Sequence, residues 1–482
     1  MDLDFSAADD IVAEFHERRR APGVRFAVVA DGRTVHVAGH GVTDCATGAR
    51  AADERVFRIA SMSKSFTAAA LLQLRDQGLL RLDDPVIGHL PQATGLGGHT
   101  RDSPPITLRH CLTMSSGLPS DDPWADRQES MSQDTFDELL ARPVAGAYAP
   151  GTAFVYSNLG FAILGRVVEA VTGRDFVGYL TSELLEPLGL TDTTYDYRTV
   201  PSGRLANGYR LTRSGDWELQ PFSAPGSFSA IGGLLSTTGD IARWIGWLAE
   251  AFPAGGGDDA VLARASRRDM QQPHRLVPFH LAEAPGERNR LKSNGFDWGL
   301  SGYGYGLFVE TDPRWGAISQ HLGGYPGFGS YMGWHQDSGL GVVAFANGTY
   351  APVAAPARAA LDALLRQHPS RRAEARPTPA MRSALELVER VIAEPTALQE
   401  PAFADNVLLD VPLGERVAAI TAARNAVGDR DGQAEMALRS PTEATYRLPG
   451  TRGRIDVTIA LTPTDPPRIH TFAVEAVAAE KA

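Results

Sequence analysis

Apolar and polar side chains alternate near the start of the chain and mark its first predicted strands. Residues 23–30 read GVRFAVVA and residues 33–39 read RTVHVAG, with Asp31 and Gly32 between them. An Asp-Gly pair between two strand-like runs is typical of a two-residue hairpin turn. The pattern therefore predicts a β-hairpin.

The apolar spacing then changes from two residues to three or four. Phe66 and Ala69 belong to an apolar set with the period of a helix, and Gly78 supplies the stop signal. Ser61 and Ser63 stand at the predicted helix start, where a hydroxyl can cap free backbone N–H groups.

Helical periodicity dominates the middle of the chain, and strand patterns return after it. Residues 82–250 are mostly helical in pattern, and three strands are predicted at 303–310, 315–336 and 339–348. Strands at both ends with helices between them indicate one mixed α+β domain, residues 1–365, whose sheet is assembled from distant halves of the chain.

A linker and a second, smaller domain are predicted in the last part of the chain. Residues 366–380 are rich in Pro, Arg and Ala and lose the apolar periodicity. Two helices follow, at Met381 to about Ala393 and at Leu413–Val427, and four short alternating strands run to Ala476. These elements predict a small α+β accessory domain over residues 381–482, with no catalytic constellation.

Composition restricts the classes of function. Of 482 residues, 43% are hydrophobic and 21% are charged, which is the balance of a globular protein. The net charge is −11, so nucleic acid is not expected as a partner, because binding a phosphate backbone favours a basic surface. The N-terminus lacks a secretory signal pattern and no apolar run is long enough to span a membrane. We expect a cytoplasmic protein without a membrane partner and leave its oligomeric state open.

Lysine is rare in this chain and therefore informative. Arginine supplies almost all of the positive charge, and the only lysines are Lys64, Lys292 and Lys481. Burial can lower the pKa of a lysine toward neutrality, whereas an arginine stays protonated. Lys64 lies in an apolar part of the sequence, so it is the lysine to examine.

The segment Ser61-Met62-Ser63-Lys64 is the first candidate for chemistry. A serine and a lysine three residues apart share one face of a helix, whose start adds positive potential and free N–H groups. A desolvated lysine can accept the proton of a serine hydroxyl, which is a weak nucleophile without a base. Taken alone, the segment is also compatible with an ordinary helix cap.

Tyr156-Ser157-Asn158, before a second helical run, is the next candidate. A phenol at a helix start can move a proton between a nucleophile and a leaving group. The Asn158 amide can donate to a substrate carbonyl and hold the lysine. An aromatic staple followed by an Asn cap explains the same residues without chemistry.

His321-Leu322-Gly323-Gly324, in a predicted strand, is the third candidate. Consecutive glycines leave the strand uncovered, so a carbonyl can approach its backbone N–H groups. The amides of Ser61 and Gly324 are candidates for the two donors of an oxyanion hole.

The order and spacing of these segments resemble the β-lactamase and penicillin-binding-protein superfamily of serine hydrolases, in particular its class C branch. That family has an S-x-x-K helix, then Y-x-N, then a K-T-G or H-x-G strand. Residues 106–119, 156–173 and 229–245 are similar to family segments as well, and the resemblance covers roughly residues 10–365.

The resemblance implies a fold and a set of roles. The fold is an antiparallel sheet flanked by helices, with a helical subdomain at about residues 82–250. The implied catalytic residues are Ser61 as nucleophile, with Lys64 and Tyr156 as the proton-transfer pair. The implied substrate-binding residues are Asn158, His321, Gly323 and Gly324, with the backbone of the last in the oxyanion hole.

One departure from the family pattern bears on the substrate. Where many members carry K-T-G, this chain has His321-Leu322-Gly323, and the loss of a permanent cation weakens recognition of a carboxylate. Members with this histidine are similar to D-aminopeptidases, esterases, acyltransferases and peptide-cyclising thioesterases. The resemblance implies a serine acyl-enzyme hydrolase for an amide or ester, such as a D-residue-containing peptide or a small ester.

Two alternatives stay open at this point. An amine instead of water can resolve the acyl-enzyme, as in an acyltransferase or a thioesterase that cyclises a peptide. The chain can also be a non-catalytic ligand sensor, although it retains the serine, the lysine and the tyrosine. We expect a small-molecule or peptide substrate and no organic cofactor. No metal is expected either, because His36 and His40 share a strand face without an acidic or cysteine ligand.

Overall fold

The computed structural model describes residues 3–18, 20–97, 100, 102–252, 259–278, 300–312, 314–367 and 377–479. The chain divides into two compact units, Met1–Ser370 and Arg371–Ala482. Most of the predicted linker, residues 368–376, lies outside the described residues, and so do Lys292 and Lys481.

Helices and strands alternate irregularly along the first unit. Its helices are α1 (Ser6–Glu17), α2 (Ser63–Asp76), α3 (Val86–His89), α4 (Leu108–Leu112), α5 (Gln133–Ala141), α6 (Asn158–Thr172), α7 (Phe176–Leu180), α8 (Ser229–Gly232), α9 (Thr238–Ala249), α10 (Arg264–Met270) and α11 (Ala354–Gln367). Its strands are β1 (Gly23–Ala30), β2 (Arg33–Asp44), β3 (Ala49–Arg50), β4 (Phe57–Arg58), β5 (Tyr209–Leu211), β6 (Trp217–Leu219), β7 (Leu235–Ser236), β8 (Arg275–Leu276), β9 (Leu300–Tyr303), β10 (Phe308–Asp312), β11 (Gly316–Tyr325), β12 (Phe328–His335) and β13 (Gly341–Ala346). Shorter helical turns lie at Ala60–Met62, Ala125–Arg127, Thr181–Leu185 and Tyr197–Thr199.

One antiparallel sheet organises the first unit. Among the described residues its strands follow the order β3-β2-β1-β13-β12-β11-β10-β9-β8. β1 pairs with β13 from Val24 opposite Ala346 to Val29 opposite Gly341. The sheet therefore joins distant parts of the chain, and the predicted mixed α+β fold is confirmed.

The turns of this sheet lie where glycine permits a positive φ. Asp31 and Gly32 have φ of 50° and 67°, as a two-residue hairpin turn between β1 and β2 requires. The prediction of a single strand at 315–336 is wrong, because Gly327, with φ of 90°, turns the chain between β11 and β12. Gly306, with φ of 70°, likewise divides the strand predicted at 303–310 into β9 and β10.

Helices cover both faces of the sheet. On one face, Val12 of α1 and Leu361 of α11 pack against Phe26 of β1. On the other face, Phe66 of α2 and Trp244 of α9 belong to the larger core that includes the helical region. No helix in the described ranges combines the length and apolarity needed to cross a membrane.

Helix α2 is buried along most of its length. All of its residues from Ser63 to Leu74 are buried, which agrees with the apolar sequence around Lys64. The prediction that serine hydroxyls cap this helix is wrong, because the turn Ala60–Met62 continues it toward the N-terminus. Ser63 Oγ instead donates a hydrogen bond to the Ala60 carbonyl at 2.7 Å.

The second unit is a small α+β structure with its own core. Its helices are α12 (Pro379–Ala393), α13 (Asn406–Asp410) and α14 (Leu413–Val427), with a short turn at Pro395–Gln399. Its sheet contains β14 (Glu435–Ser440), β15 (Glu443–Gly450), β16 (Gly453–Leu461) and β17 (Ile469–Ala478), paired in this order. Val388, Ile420 and Val457 pack in one cluster between helices and sheet. The two predicted helices and the four strands are confirmed.

Candidate active site

Ser61 lies in a tight helical turn whose backbone is held in an unusual conformation. Ala60, just before it, has a φ of 49°, which costs a non-glycine residue about 1–3 kcal/mol and persists only where the surroundings hold it. Ser330 Oγ supplies one such contact by donating a 2.7 Å hydrogen bond to the Ile59 carbonyl. The sheet therefore supports the position of Ser61.

Lys64 lies one helical turn after Ser61 and is inaccessible to solvent. Its Nζ donates to Ser61 Oγ at 3.0 Å and to the Ile231 carbonyl at 2.7 Å. Burial lowers the pKa of Lys64 to about 8, since desolvation penalises the charged form. Three carboxylates act in the opposite direction: Asp122, Asp126 and Asp121.

Tyr156 adds a phenol to this pair. Lys64 Nζ lies 5.0 Å from the centroid of the Tyr156 ring. Burial raises the pKa of Tyr156 well above its usual value, although a hydrogen bond with Ser61 acts in the opposite direction. The phenol is therefore protonated at neutral pH. The ring packs against Phe308 and His321, with centroids 6.4 Å away in both cases.

Asn158 begins helix α6 and is fully buried, but its contacts differ from those expected. Its Nδ2 donates to Asp121 Oδ1 at 3.2 Å and to Asp122 Oδ1. Its Oδ1 has no hydrogen-bond partner among the described residues. The expected hydrogen bond between Asn158 and Lys64 is absent from the described contacts. Lys64 Nζ donates instead to Ser61 Oγ and to the Ile231 carbonyl, and Asn158 Nδ2 donates to the carboxylates.

His321 is buried in strand β11 and is neutral. Its Nε2 lies 3.2 Å from the Tyr303 hydroxyl, and its Nδ1 lies 2.6 Å from the Leu322 carbonyl. Burial, aided by the nearby Lys64 charge, lowers the pKa of His321 to about 3. This histidine therefore supplies no positive charge to the site at neutral pH.

Gly323 and Gly324 bring strand β11 close to the Ser61 turn. A Cβ atom at Gly323 would lie 2.5 Å from the Ile59 carbonyl oxygen and 3.0 Å from the Ala60 Cβ. A Cβ atom at Gly324 would lie 2.8 Å from the Tyr350 ring. Both distances are too short for a real Cβ atom. The two glycines therefore allow β11 to pack against the Ser61 turn and the Tyr350 ring.

An acidic loop beside Lys64 was not identified from the sequence. Asp121 accepts hydrogen bonds from the backbone N–H groups of Asn158 and Leu159 and so caps α6. Asp126 is almost fully buried, and burial raises its pKa to about 7. The run S-D-D-P-W-A-D at residues 120–126 was an available signal, because three aspartates lie within six residues of one another.

Three further contacts around the acidic loop and the turn before Ser61 had no signal in the sequence. Arg58 and Glu129 form a buried ion pair with a 2.7 Å contact, and the Tyr325 hydroxyl donates to the same carboxylate at 2.9 Å. The Tyr350 hydroxyl donates to Asp126 Oδ2 at 2.9 Å. Each contact joins residues that are far apart in the chain.

The structure does not assemble a metal site around the histidines of β2. His36 pairs with Asp9 at 2.7 Å, whereas the ring of His40 lies against that of His16. The described residues contain no group of three or more His, Cys, Asp or Glu side chains that could hold a metal ion.

Comparisons with known sequences identify relatives of the first unit. A family model described as Beta-lactamase matches residues 8–367. "Protein flp" of Staphylococcus aureus (strain COL) is 26% identical over 346 residues, which are 70% of this chain and 62% of that protein. The chain thus spans less than two thirds of the length of this curated relative.

Comparisons with solved structures show the same fold. The octameric penicillin-binding protein homologue from Pyrococcus abyssi aligns with a TM-score of 0.64 and 23% identity, over 99% of this chain and 97% of that chain. A D-stereospecific amidohydrolase from Streptomyces sp. aligns with a TM-score of 0.55 and 22% identity, over 72% of this chain and 95% of that chain. EstCE1, described as a hydrolase with promiscuous acyltransferase activity, aligns with a TM-score of 0.57 and 23% identity, over 74% of this chain and 100% of that chain. The predicted fold class and the predicted resemblance are both confirmed.

Proposed function

Because the chain belongs to the beta-lactamase family, we propose that it is a serine acyl-transfer enzyme that hydrolyses an amide or an ester. The observation that carries the proposal is the 3.0 Å hydrogen bond from Lys64 Nζ, which is fully buried, to Ser61 Oγ, which is half-buried. A buried lysine whose pKa is about 8 is suited to accept the serine proton.

In the proposed reaction, Ser61 Oγ forms a bond to the substrate carbonyl carbon while its proton passes to Lys64 Nζ. The protonated Tyr156 hydroxyl gives its proton to the leaving group as the C–N or C–O bond breaks, and Lys64 returns a proton to the phenolate. Water then attacks the acyl-enzyme, its proton follows the reverse route, and Ser61 regains its hydrogen.

The proposed oxyanion hole consists of the backbone N–H groups of Ser61 and Gly324. The close packing of β11 against the Ser61 turn at Gly323 supports this assignment, because both donors must face one carbonyl oxygen. Removal of one such donor typically costs 10²- to 10³-fold in rate.

The proposed substrate is a D-residue-containing peptide or a small ester. The neutral His321 favours such compounds over substrates recognised through a carboxylate. Two structural neighbours are described as a D-stereospecific amidohydrolase and as a hydrolase with acyltransferase activity, so both amides and esters merit testing.

Transfer of the acyl group to an amine, including cyclisation of a peptide thioester, is the second candidate function. Transfer proceeds through the same acyl-enzyme as hydrolysis. The structural neighbour EstCE1 favours this candidate, because it is described as having acyltransferase activity. Adding a primary amine to the assay and identifying the products by mass spectrometry separates transfer from hydrolysis. A non-catalytic ligand sensor is the alternative outside the enzymes. The presence of Ser61, Lys64 and Tyr156 disfavours it, because a sensor does not need all three.

Active-site labelling tests the nucleophile directly. A fluorophosphonate probe followed by peptide mass mapping is expected to modify Ser61. Ser61→Ala should lose both the label and turnover of p-nitrophenyl acetate, while circular dichroism shows an intact fold. Ser63→Ala, which alters the nearby serine at the start of α2, should still take the label. Labelling at another serine, or an active Ser61→Ala variant, would refute the assignment.

The roles of the two regions of the chain and its self-association are also part of the proposal. We assign the reaction to residues 1–365 and an accessory role to residues 381–482. The relative from Pyrococcus abyssi is described as octameric, so self-association of this chain is a hypothesis that light scattering tests. The cytoplasmic location stays a prediction.

A further inference from the structure

Asp122 is the accessible member of the acidic loop beside Lys64. Asp121 is engaged with the start of α6, and Asp126 is held by Tyr350. Asp122 is exposed, and its hydrogen-bond partner among the described residues is the Asn158 amide. Its carboxylate thus keeps lone pairs that a molecule in the site can reach.

Asn158 offers a second acceptor beside Asp122, one that is buried and has no partner. The residue is inaccessible to solvent, and its Oδ1 has no hydrogen-bond partner in the described part of the chain. A buried carbonyl oxygen without a partner is unfavourable, so a ligand N–H that reaches it relieves that cost. Because Nδ2 of the same amide contacts Asp122, the two acceptors are close together.

The charges around Ser61 favour a cation in the substrate. The charged groups that act on Lys64 are all carboxylates, and Asp122 has the largest effect among them. Arg58 is neutralised by its ion pair with Glu129, and His321 carries no charge at neutral pH. Lys64 itself is mostly protonated at pH 7, because its pKa is about 8, but three carboxylates surround this one cation. A substrate carboxylate beside Asp122 would therefore be repelled, whereas an ammonium group would be attracted and could donate to both acceptors.

We propose that Asp122 and Asn158 Oδ1 form a subsite for a protonated amino group of the substrate, close to the carbonyl that Ser61 attacks. The inference rests on the proposed function and specifies its substrate class as amides or esters of compounds with a free amine.

Three matched substrates test the subsite. They are alanine p-nitroanilide with a free amine, its N-acetyl derivative and its N-succinyl derivative, each in the D and L forms. At pH 7 we expect kcat/KM for the free amine to exceed that for the N-acetyl compound by about tenfold or more. The succinyl compound should be poorest, and added salt should reduce the differences. For a compound that is not cleaved, its Ki against p-nitrophenyl acetate hydrolysis replaces kcat/KM.

Variants of Asp122 connect the preference to this carboxylate. The measured quantity is the ratio of kcat/KM (or 1/Ki) between the amine and the acetyl compound within each variant, because this ratio cancels effects on Lys64. Asp122→Asn should lower the ratio by about five- to tenfold, and Asp122→Glu should retain part of it. Asp134→Asn, the same change at an exposed site on α5, should leave the ratio unchanged.

The outcomes separate this inference from the proposed function. A ratio near one in the natural protein, or a ratio that Asp122→Asn does not change, would overturn the amine subsite and leave the serine hydrolase intact. If p-nitrophenyl acetate is not turned over and Ser61 takes no label, the proposed function fails, and the amine subsite that rests on it fails too.

Discussion

At the residue scale, the proposed chemistry depends on the protonation state of Lys64. Burial favours the neutral amine, whereas the carboxylates of the acidic loop favour the ammonium. Desolvation is the larger effect, so the pKa is lowered to about 8 instead of rising. Exposed, the same side chain would stay charged up to about pH 10 and could not act as a base.

This balance predicts the pH dependence of the reaction. With p-nitrophenyl acetate, kcat/KM should rise with pH and reach half of its maximum near pH 8, because only the neutral amine accepts the Ser61 proton. Lys64→Arg should lower kcat/KM by about 100-fold or more at every pH, since arginine stays protonated. Initial rates between pH 6 and about 9.5 check both expectations. An arginine variant with the natural rate would show that Lys64 is not the base.

The neutral state of His321 leads us to expect a weak reaction with β-lactams. The neutral, buried imidazole leaves the carboxylate of a β-lactam without a cationic partner on β11. We therefore expect nitrocefin turnover to be at least about 100-fold less efficient than p-nitrophenyl ester turnover. Comparing kcat/KM for both on one preparation decides the point. Efficient nitrocefin hydrolysis would show that another group recognises the carboxylate.

At the element scale, the site depends on how closely β11 approaches the turn before α2. The two elements are more than 250 residues apart in the chain, and Gly323 lets them touch. The contact supports the strained backbone at Ala60, and the proposed oxyanion hole of the Ser61 and Gly324 amides depends on it.

Adding one methyl group at this contact tests its importance. In Gly323→Ala, the new Cβ would lie 2.5 Å from the Ile59 carbonyl oxygen, so the strand or the turn must move. We expect kcat/KM for p-nitrophenyl acetate to fall about tenfold or more, and the free energy of unfolding to fall by about 1–3 kcal/mol. Gly88→Ala in α3, where a Cβ would have no atom within 4 Å, is the matched control. Natural activity in Gly323→Ala would contradict the role given to this contact.

At the scale of the whole molecule, the two units have separate cores. The second unit packs around residues such as Val388 and Val457, and the sheet of the first unit has its own apolar clusters. Each unit therefore contains the apolar contacts that a separate fold requires.

Truncation near residue 370 separates the roles of the two units. Residues 1–370 should keep nearly the full rate on p-nitrophenyl acetate, because the residues proposed for catalysis lie within them. KM for a long peptide substrate should change if the second unit shapes or covers the cleft, since a remote region can supply binding but not proton transfer. Circular dichroism confirms that the truncated protein is folded. A folded truncation product without esterase activity would place an essential element beyond residue 370.

Local pattern predicted the elements and the spacing of the candidate site. The hairpin at β1–β2, the helix that carries Ser61 and Lys64, and the four strands of the second unit follow from side-chain periodicity and turn residues, which depend only on near neighbours. The same dependence on near neighbours makes the pattern predict one strand where the structure has β11 and β12, on either side of Gly327. Their apolar pattern continues through the turn, so periodicity alone does not reveal the reversal.

Tertiary structure alone decided the properties that depend on distant residues. The neutral state of His321, the engagement of Asn158 with Asp121 and the buried pair of Arg58 with Glu129 all arise from packing between separate segments. The sequence by itself determined that a serine and a lysine share one helical face. Only the fold decided that this face is buried and bordered by carboxylates, because burial and electrostatic environment are properties of assembled segments and not of a local pattern.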